Sequence, residues 1–268
     1  MTVFDNISYY KCKATQLNVK PVVNPLGGNW SPEQVAAGFA ALEITPEDHY
    51  IKYGKSEGIV GFDTCNIESM KSHWDSKREY KEIIVNKRKN GEKVNVCDFI
   101  KPNDTVIAQD VDENNLHIIN QCTCDSQVLN IYKRAGHGLF YRSDLELYGQ
   151  SEYWAFPAEV REKNNAGDCE DMAHVIASYF EAAGLSYWRY AVCTGTANIG
   201  IGHSTIYYLR DNNSWCLLDS TGGVPNGADI NSAAFPILGT LGHDNHGHAL
   251  STFDRCYNSK KSWWGFEY

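Results

Sequence analysis

No apolar run in this sequence approaches the roughly 18–20 residues that cross a bilayer, and the opening stretch MTVFDNISYYKCKATQ has no basic start followed by an apolar segment. Neither a membrane span nor a secretory signal is expected, which points to a cytoplasmic or virion-associated location. Basic charge is scarce as well. Lys and Arg number 24 against 33 Asp and Glu, a formal net charge of −9. That balance excludes a general affinity for nucleic acid or an anionic membrane, because both demand a basic surface. The one basic cluster, KRKNGEK at 87–93, reads as a solvated hairpin tip. An even cysteine count is also missing: nine scattered cysteines cannot complete a disulfide framework within one chain, so reduced thiols are the default.

Aromatic residues are abundant, with 16 Tyr, 10 Phe and 7 Trp among 268 residues. With 43% hydrophobic residues, they describe an ordered chain long enough to bury a sizeable core. Two clusters look superficially like metal sites. Cys122 and Cys124 have one residue between them, tighter than the two of a zinc knuckle. In GHDNHGHAL, His243, His246 and His248 have no carboxylate or cysteine pattern to complete a cation site, so the stretch reads as a glycine-rich surface loop.

Start signals organise the N-terminal part. Ser31 as N-cap, Pro32 at the first helical position and Gln34 at the capping-box position predict one short helix; Thr45, Pro46 and Asp48 repeat the scheme, with Gly54 as the stop. Residues 1–75 are therefore expected to form a small helical module, and its HYIKYGKSEGI resembles a short module that recurs in microbial surface and phage-associated proteins. From 76 to 124 the pattern is β-prone: EIIVNKRKNGEKVNVCDFI contains Asn90-Gly91, a hairpin signal, and DTVIAQDV reads as a further strand. A helix is expected again at DSQVLNIYKRAG, with Val128, Ile131 and Tyr132 on one stripe, Asp125 or Ser126 as cap and Gly136 as stop. Residues 125–268, which end in the aromatic tail KKSWWGFEY, read as the main core.

In NNAGDCEDMAHVIASYFEAAG (164–184), small or apolar residues at 169, 172, 173, 176, 177 and 180 mark one face of a helix that starts at Cys169. The partial positive charge of a helix N-terminus favours a thiolate, whereas Asp168, Glu170 and Asp171 oppose it. A nucleophilic thiol needs a base. His174, five residues on, points well away from the cysteine's face. In GIGHSTIYYLRDNNSWCLLDSTGG, a turn near 211–212 brings His203 and Asp219 across a hairpin, or one step from it, on the same face. An imidazole held by a carboxylate is the second and third part of a Cys-His-Asp triad, although a solvated cross-strand pair looks the same in sequence.

The ordered motifs GDCEDMA, GHSTIYYL and WCLLDST resemble the transglutaminase-like superfamily. The lead-in FYRSDLELYGQSEYWAFPAEV is similar to that of the bacterial transglutaminase-like cysteine peptidases, with Tyr-x-x-Asp, Tyr-Gly and Tyr-Trp-x-x-Pro-x-Glu ahead of Gly-Asp-Cys-Glu-Asp. The resemblance covers about 125–225 and implies an α+β, papain/transglutaminase-like core, in which a helix carrying Cys169 packs on an antiparallel sheet carrying His203 and Asp219. It implies a thiol hydrolase acting on a protein or peptide, with Cys169 as nucleophile, His203 as base and Asp219 as orienting group. The backbone N–H of Cys169 and the side chain of Trp154 are the expected oxyanion donors. The triad chemistry requires no cofactor. Related periplasmic proteases bind calcium near the nucleophile, and Asp168, Glu170 and Asp171 stand where such ligands would sit; the alternative is that they merely complement the helix dipole.

A second class of function is a phage virion or tail component, with or without activity, in which the N-terminal helical module and the aromatic tail dock to a partner.

Overall fold

In the computed structural model the described residues are 31–41, 79–88, 91–121, 124–211, 214–219, 221 and 248–263, with single positions at 10, 13, 14, 17 and 75. They fall into two compact units: Met1–Lys77 with Asn120–Thr123 and Asp211–Asn213, and Arg78–Ile119 with Cys124–Arg210 and Ser214–Tyr268. In the first, helix α1 (Pro32–Ala41) begins as its capping residues dictate. Ser31 Oγ accepts from the Gln34 N–H at 3.2 Å and Gln34 Oε1 accepts from the Ser31 N–H at 2.9 Å, a reciprocal capping box. Its buried residues, Val35 and Phe39, are one turn apart, and the Tyr10 ring lies 5.8 Å from Phe39. The second expected helix, the module at 49–59, Asn90, Cys122, His243, His246 and tail residues 264–268 lie outside the described residues.

The second unit opens with β1 (Ile84–Val85) and β2 (Val94–Asn95), which pair antiparallel. The hairpin expected around Asn90-Gly91 therefore forms, with Gly91 at φ 69°, but its connection is longer than a two-residue turn. DTVIAQDV, expected as a strand, is instead helix α2 (Thr105–Glu113). Asp104 Oδ1 accepts from the N–H groups of Val106 and Ile107 at 3.1 and 3.2 Å, and Ile107 and Val111 bury one stripe. A strong N-cap and burial at i, i+4 outweigh the β-propensity of the Val and Ile. Helix α3 (Asp125–Gly136) buries the expected Val128, Ile131 and Tyr132 and ends at the expected glycine. Its N-cap is Cys124, whose side chain makes no capping hydrogen bond; Asp125 instead accepts from the Tyr208 hydroxyl at 2.9 Å and from Arg210 at 3.3 Å.

Next come β3 (Phe140–Tyr141), α4 (Asp144–Tyr148), α5 (Pro157–Glu162), β4 (Ala166–Gly167) and α6 (Cys169–Ala182). Strands β3 and β4 pair in parallel, Tyr141 opposite Gly167. Five antiparallel strands complete the unit: β5 (Tyr190–Ala197), β6 (Gly202–Leu209), β7 (Trp215–Leu218), β8 (Leu250–Tyr257) and β9 (Ser262–Trp263), in the order β7-β6-β5-β8-β9. Helix α6 lies on β5 and β6, flanked by α2, α3 and α5. Ile176 and Phe180 from the helix meet Tyr190, Val192, Ile206 and Tyr208 from the sheet in one core. The result is the expected α+β arrangement, a cysteine-bearing helix packed on an antiparallel sheet. Part of the aromatic tail is spent on the sheet itself, since Ser262 and Trp263 form its edge strand and Trp263 is buried. Among the described residues no helix is long and apolar enough to cross a membrane.

Close approach fixes one residue of the central strand. A Cβ on Gly195 would fall 1.8 Å from the Thr252 carbonyl oxygen, where the β5–β8 register shifts.

Arg88 departs from the reading of its segment as a solvated tip. Its guanidinium is buried, donating to Glu159 at 2.7 and 3.0 Å and to the Trp154 carbonyl at 2.7 Å, and it lies 4.3 Å from the Phe156 ring centroid. Burial works against the cation, but the hydrogen bonds to Glu159 and Glu92 outweigh it and raise the Arg88 pKa. Breaking a buried pair leaves an uncompensated charge and costs about 3–5 kcal/mol. Arg88→Ala is expected to destabilise the second unit by about 3 kcal/mol, the low end of that range because Glu159 keeps some contact with water. Urea unfolding measures it, and a loss under about 0.5 kcal/mol, the level of an ordinary surface substitution, would contradict the pairing.

Candidate active site

The β6–β7 register pairs Ile206 with Leu218 and Leu209 with Trp215. Asp219 therefore comes just past the strand end, one diagonal step from His203 and on its face, as the turn position predicts. His203 Nε2 is 3.0 Å from Asp219 Oδ2. The other oxygen, Oδ1, accepts from the Thr221 N–H at 3.0 Å and from the Thr221 hydroxyl at 2.8 Å, and the Tyr132 hydroxyl donates to the Asp219 carbonyl at 2.7 Å. Burial pushes the Asp219 carboxyl up, but His203 and Thr221 outweigh it and hold it well below the usual carboxylate range. With Nε2 turned to Asp219, the free ring nitrogen of His203 is Nδ1.

Cys169 is the first residue of α6, after Asp168 as N-cap. The backbone N–H of Ser204, the residue after His203, reaches the thiol and favours its ionised form. Everything else opposes ionisation. Burial first, then the charges of Glu170 and Asp168, push the thiol far above its ordinary range, and the S–H donates to Glu170 Oε2 at 3.3 Å. The contest between helix dipole and acidic neighbours posed by the sequence thus goes against ionisation in this arrangement, through burial first and the acids second.

Those acids form a buried cluster. Asp144, Asp168 and Asp171 each bring a carboxylate oxygen within 4.8 Å of the other two, and Asp168, Cys169 and Glu170 make a second such group. Asp171 Oδ1 accepts from the Ala155 N–H at 2.7 Å, and Asp144 Oδ2 accepts from the Tyr153 N–H. One oxygen of each member, Asp144 Oδ1, Asp168 Oδ1 and Asp171 Oδ2, is buried without a hydrogen bond. Burial raises all three pKa values and that of Glu170, and the charge of Asp168 adds to the rise at Asp144, Asp171 and Glu170; Asp144 is pushed up to about 7. Gly167 makes room for the cluster, since a Cβ there would sit 2.6 Å from the Asp171 Cβ.

Of the three carboxylates expected as cation ligands, Asp168 and Asp171 join this cluster, whereas Glu170 faces the thiol. Asp144 was not singled out, although it is the acid of the Tyr-x-x-Asp motif in YRSD, so the signal was present. Tyr141, from the same motif, stands opposite Gly167, and burial first, then the charge of Cys169, raises its pKa. Trp154 is buried and its indole N–H donates to Glu152 Oε1 at 3.0 Å. His174 is fully buried, stacked on Phe99 at 4.9 Å and 2.7 Å from the Tyr257 hydroxyl, and burial pushes its pKa down to about 3. It is a neutral core residue, in keeping with its helical offset from Cys169. His248, read as part of a loop, instead lies 2.5 Å from Asp219 Oδ2 through Nδ1.

No protein-family model matches the chain, and no curated protein matches it in sequence. Among solved structures it is similar to Legionella pneumophila LapG in its calcium-bound form, at 16% identity and TM-score 0.41, over 74% of this chain and 86% of that one. The EGTA-treated form of LapG is 15% identical at TM-score 0.41, over 75% and 89%. A proposed cysteine protease from Cytophaga hutchinsonii is 18% identical at TM-score 0.33, over 64% and 62%.

Carboxyls whose folded pKa is raised contribute stability that is present below the unfolded value of about 4 and is lost as pH rises through the folded value. His174 has the opposite sign: its lowered pKa costs stability only below about 6.5, its unfolded value. In the presence of a chelator, stability is therefore expected to fall between about pH 6.5 and 8 as Asp144 and its neighbours are forced to ionise. Asp144→Asn is expected to flatten that slope, and a stability that rises over this interval in both proteins would refute the account.

Proposed function

We propose that the chain is a thiol hydrolase that cleaves a peptide or amide bond through an acyl-enzyme, with Cys169, His203 and Asp219 as its triad. One observation carries the reading: the Cys169 thiol meets the backbone N–H of Ser204, next to a histidine whose Nε2 is held by a buried carboxylate. On this reading His203 Nδ1 takes the thiol proton as sulfur attacks the carbonyl carbon, and Asp219 stabilises the resulting imidazolium. The oxyanion is received by the Cys169 N–H at the start of α6. His203 then returns the proton to the leaving amine as the C–N bond breaks. A water molecule, deprotonated by the same ring, releases the acid and restores the thiol. Trp154 would serve as second oxyanion donor only where Glu152 turns away from its indole N–H.

The acidic cluster supports a resident calcium ion. Calcium takes six to eight oxygen ligands, and three converging carboxylates that each leave one buried oxygen unmet are a donor set of that kind. Asp144, Asp168 and Asp171 would hold the ion. When bound, it would cancel the negative charge that now disfavours the thiolate. Calcium added to chelator-treated protein is expected to speed iodoacetamide labelling of Cys169 by at least about tenfold at neutral pH, the effect of one pKa unit, and Asp144→Asn is expected to abolish the gain. Labelling indifferent to calcium would remove the ion from the proposal.

Water and amines compete for the same acyl-enzyme, so hydrolysis is tested by its products. Incubation with a peptide library, with and without a primary amine, is expected to yield cleaved peptides read by mass, and Cys169→Ala and His203→Ala are expected to yield none. Products that survive in Cys169→Ala would sink the nucleophile, and amine incorporation without cleavage would make the protein a transferase. The alternative of a virion or tail component draws no support from the similar structures.

A further inference from the structure

The histidine-rich stretch that ends at His248 has no carboxylate pattern in sequence that completes a cation site, and the fold brings one to it from elsewhere. Asp219 Oδ2 faces two rings at once, Nε2 of His203 at 3.0 Å and Nδ1 of His248 at 2.5 Å. One ligand atom from each of the three residues lies within 4.8 Å of the other two. The rings meet edge-on, 68° apart with centroids 5.2 Å apart, so their nitrogens converge on the carboxylate instead of stacking past it. Thr221 ties down the remaining oxygen through its N–H and hydroxyl. A ligating carboxylate is commonly oriented by such outer-shell bonds. The His203 and Asp219 side chains are nearly buried, whereas that of His248 is 39% exposed and gives an ion a way in.

Two imidazole nitrogens and one carboxylate oxygen suit zinc and similar borderline cations, not calcium, which prefers oxygen throughout. Tetrahedral zinc with bonds of about 2.0–2.2 Å spaces its ligand atoms about 3.3 Å apart. Accepting it requires the His248 Nδ1–Asp219 Oδ2 separation to open from 2.5 Å to about that spacing, a movement left to the exposed member, His248. We propose that His203, Asp219 and His248 form a zinc-class metal site, and that its occupation switches the Cys169 nucleophile off. The site stands on geometry alone; the switch rests on the triad proposed above. With the metal on Nε2, the one proton of the neutral His203 ring sits on Nδ1. The nitrogen that would take the thiol proton then becomes a donor, and the thiol keeps its hydrogen. His248 holds its proton on Nε2, and Asp219 remains a carboxylate.

The test uses the full chain, freed of metal by a chelator and then supplied with excess calcium so that the acidic cluster is filled. Calorimetric titration with zinc chloride is expected to show one site, weakened at least about tenfold in His248→Ala, the smallest effect expected even for an outer-shell partner. Should that variant fail to fold by circular dichroism, His248→Gln carries the same test. No zinc binding, or an affinity that neither substitution changes, overturns the site. Zinc is further expected to slow iodoacetamide labelling of Cys169 at least about tenfold, reversibly with chelator, and to leave the labelling rate of the His248 variant unchanged. Binding through His248 with labelling unaffected overturns the switch. Should Cys169 label no faster than the other thiols in the absence of zinc, the triad and the switch fall together, while the binding data still decide the site.

Discussion

Burying carboxylates around the start of one helix is the constraint on which the rest of this site depends. Asp144 and Asp171 each accept a backbone N–H from the Tyr153–Ala155 segment, which locks that segment against α6. Arg88 holds the same segment from outside through the Trp154 carbonyl and Glu159. The first turn of α6, and Cys169 with it, is thus positioned by acids whose unmet oxygens make the position costly. The tension falls on the thiol, because burial and the adjoining acids Glu170 and Asp168 oppose its ionisation.

The two halves of the site lie in opposite electrostatic settings. Around Cys169 burial and then the charges of nearby carboxylates raise the pKa values of the thiol and of Glu170. Around Asp219 the His203 imidazole and the Thr221 donors favour a carboxylate and hold its pKa low against burial, and His248 Nδ1 faces the same oxygen. Proton transfer on the proposed reading runs between these settings, and each offers its own donor set to a cation: oxygens on one side, nitrogens and an oxygen on the other.

Most of the second half of the chain was legible in sequence because its signals are local. A turn near 211–212 fixed the partnership of His203 and Asp219 to within one register step, and the helical stripes of α3 and α6 marked their buried faces. The misreadings have physical reasons. DTVIAQDV is rich in strand-forming residues, but its outcome was decided by Asp104, one residue ahead of the run. Arg88 looked solvated because its neighbours are charged, and only the third dimension brings Glu159, 71 positions away, to its guanidinium. His248 lacked a carboxylate partner for the same reason: Asp219 lies 29 positions before it.

The sheet also dictates an order of assembly. Its central strand β5 is flanked by β6, next in the chain, and by β8, which arrives some fifty positions later, and β9 returns Ser262 to Lys81 across 181 positions. Pairings of such long separation form slowly, because the loop entropy must be overcome before the contacts reward it. During synthesis the thiol-bearing helix emerges well before the strands that give it a floor. A growing chain would thus carry the Cys169 helix with no completed sheet beneath it, so on the proposed reading the site stays incomplete until nearly all of the described chain is available to fold.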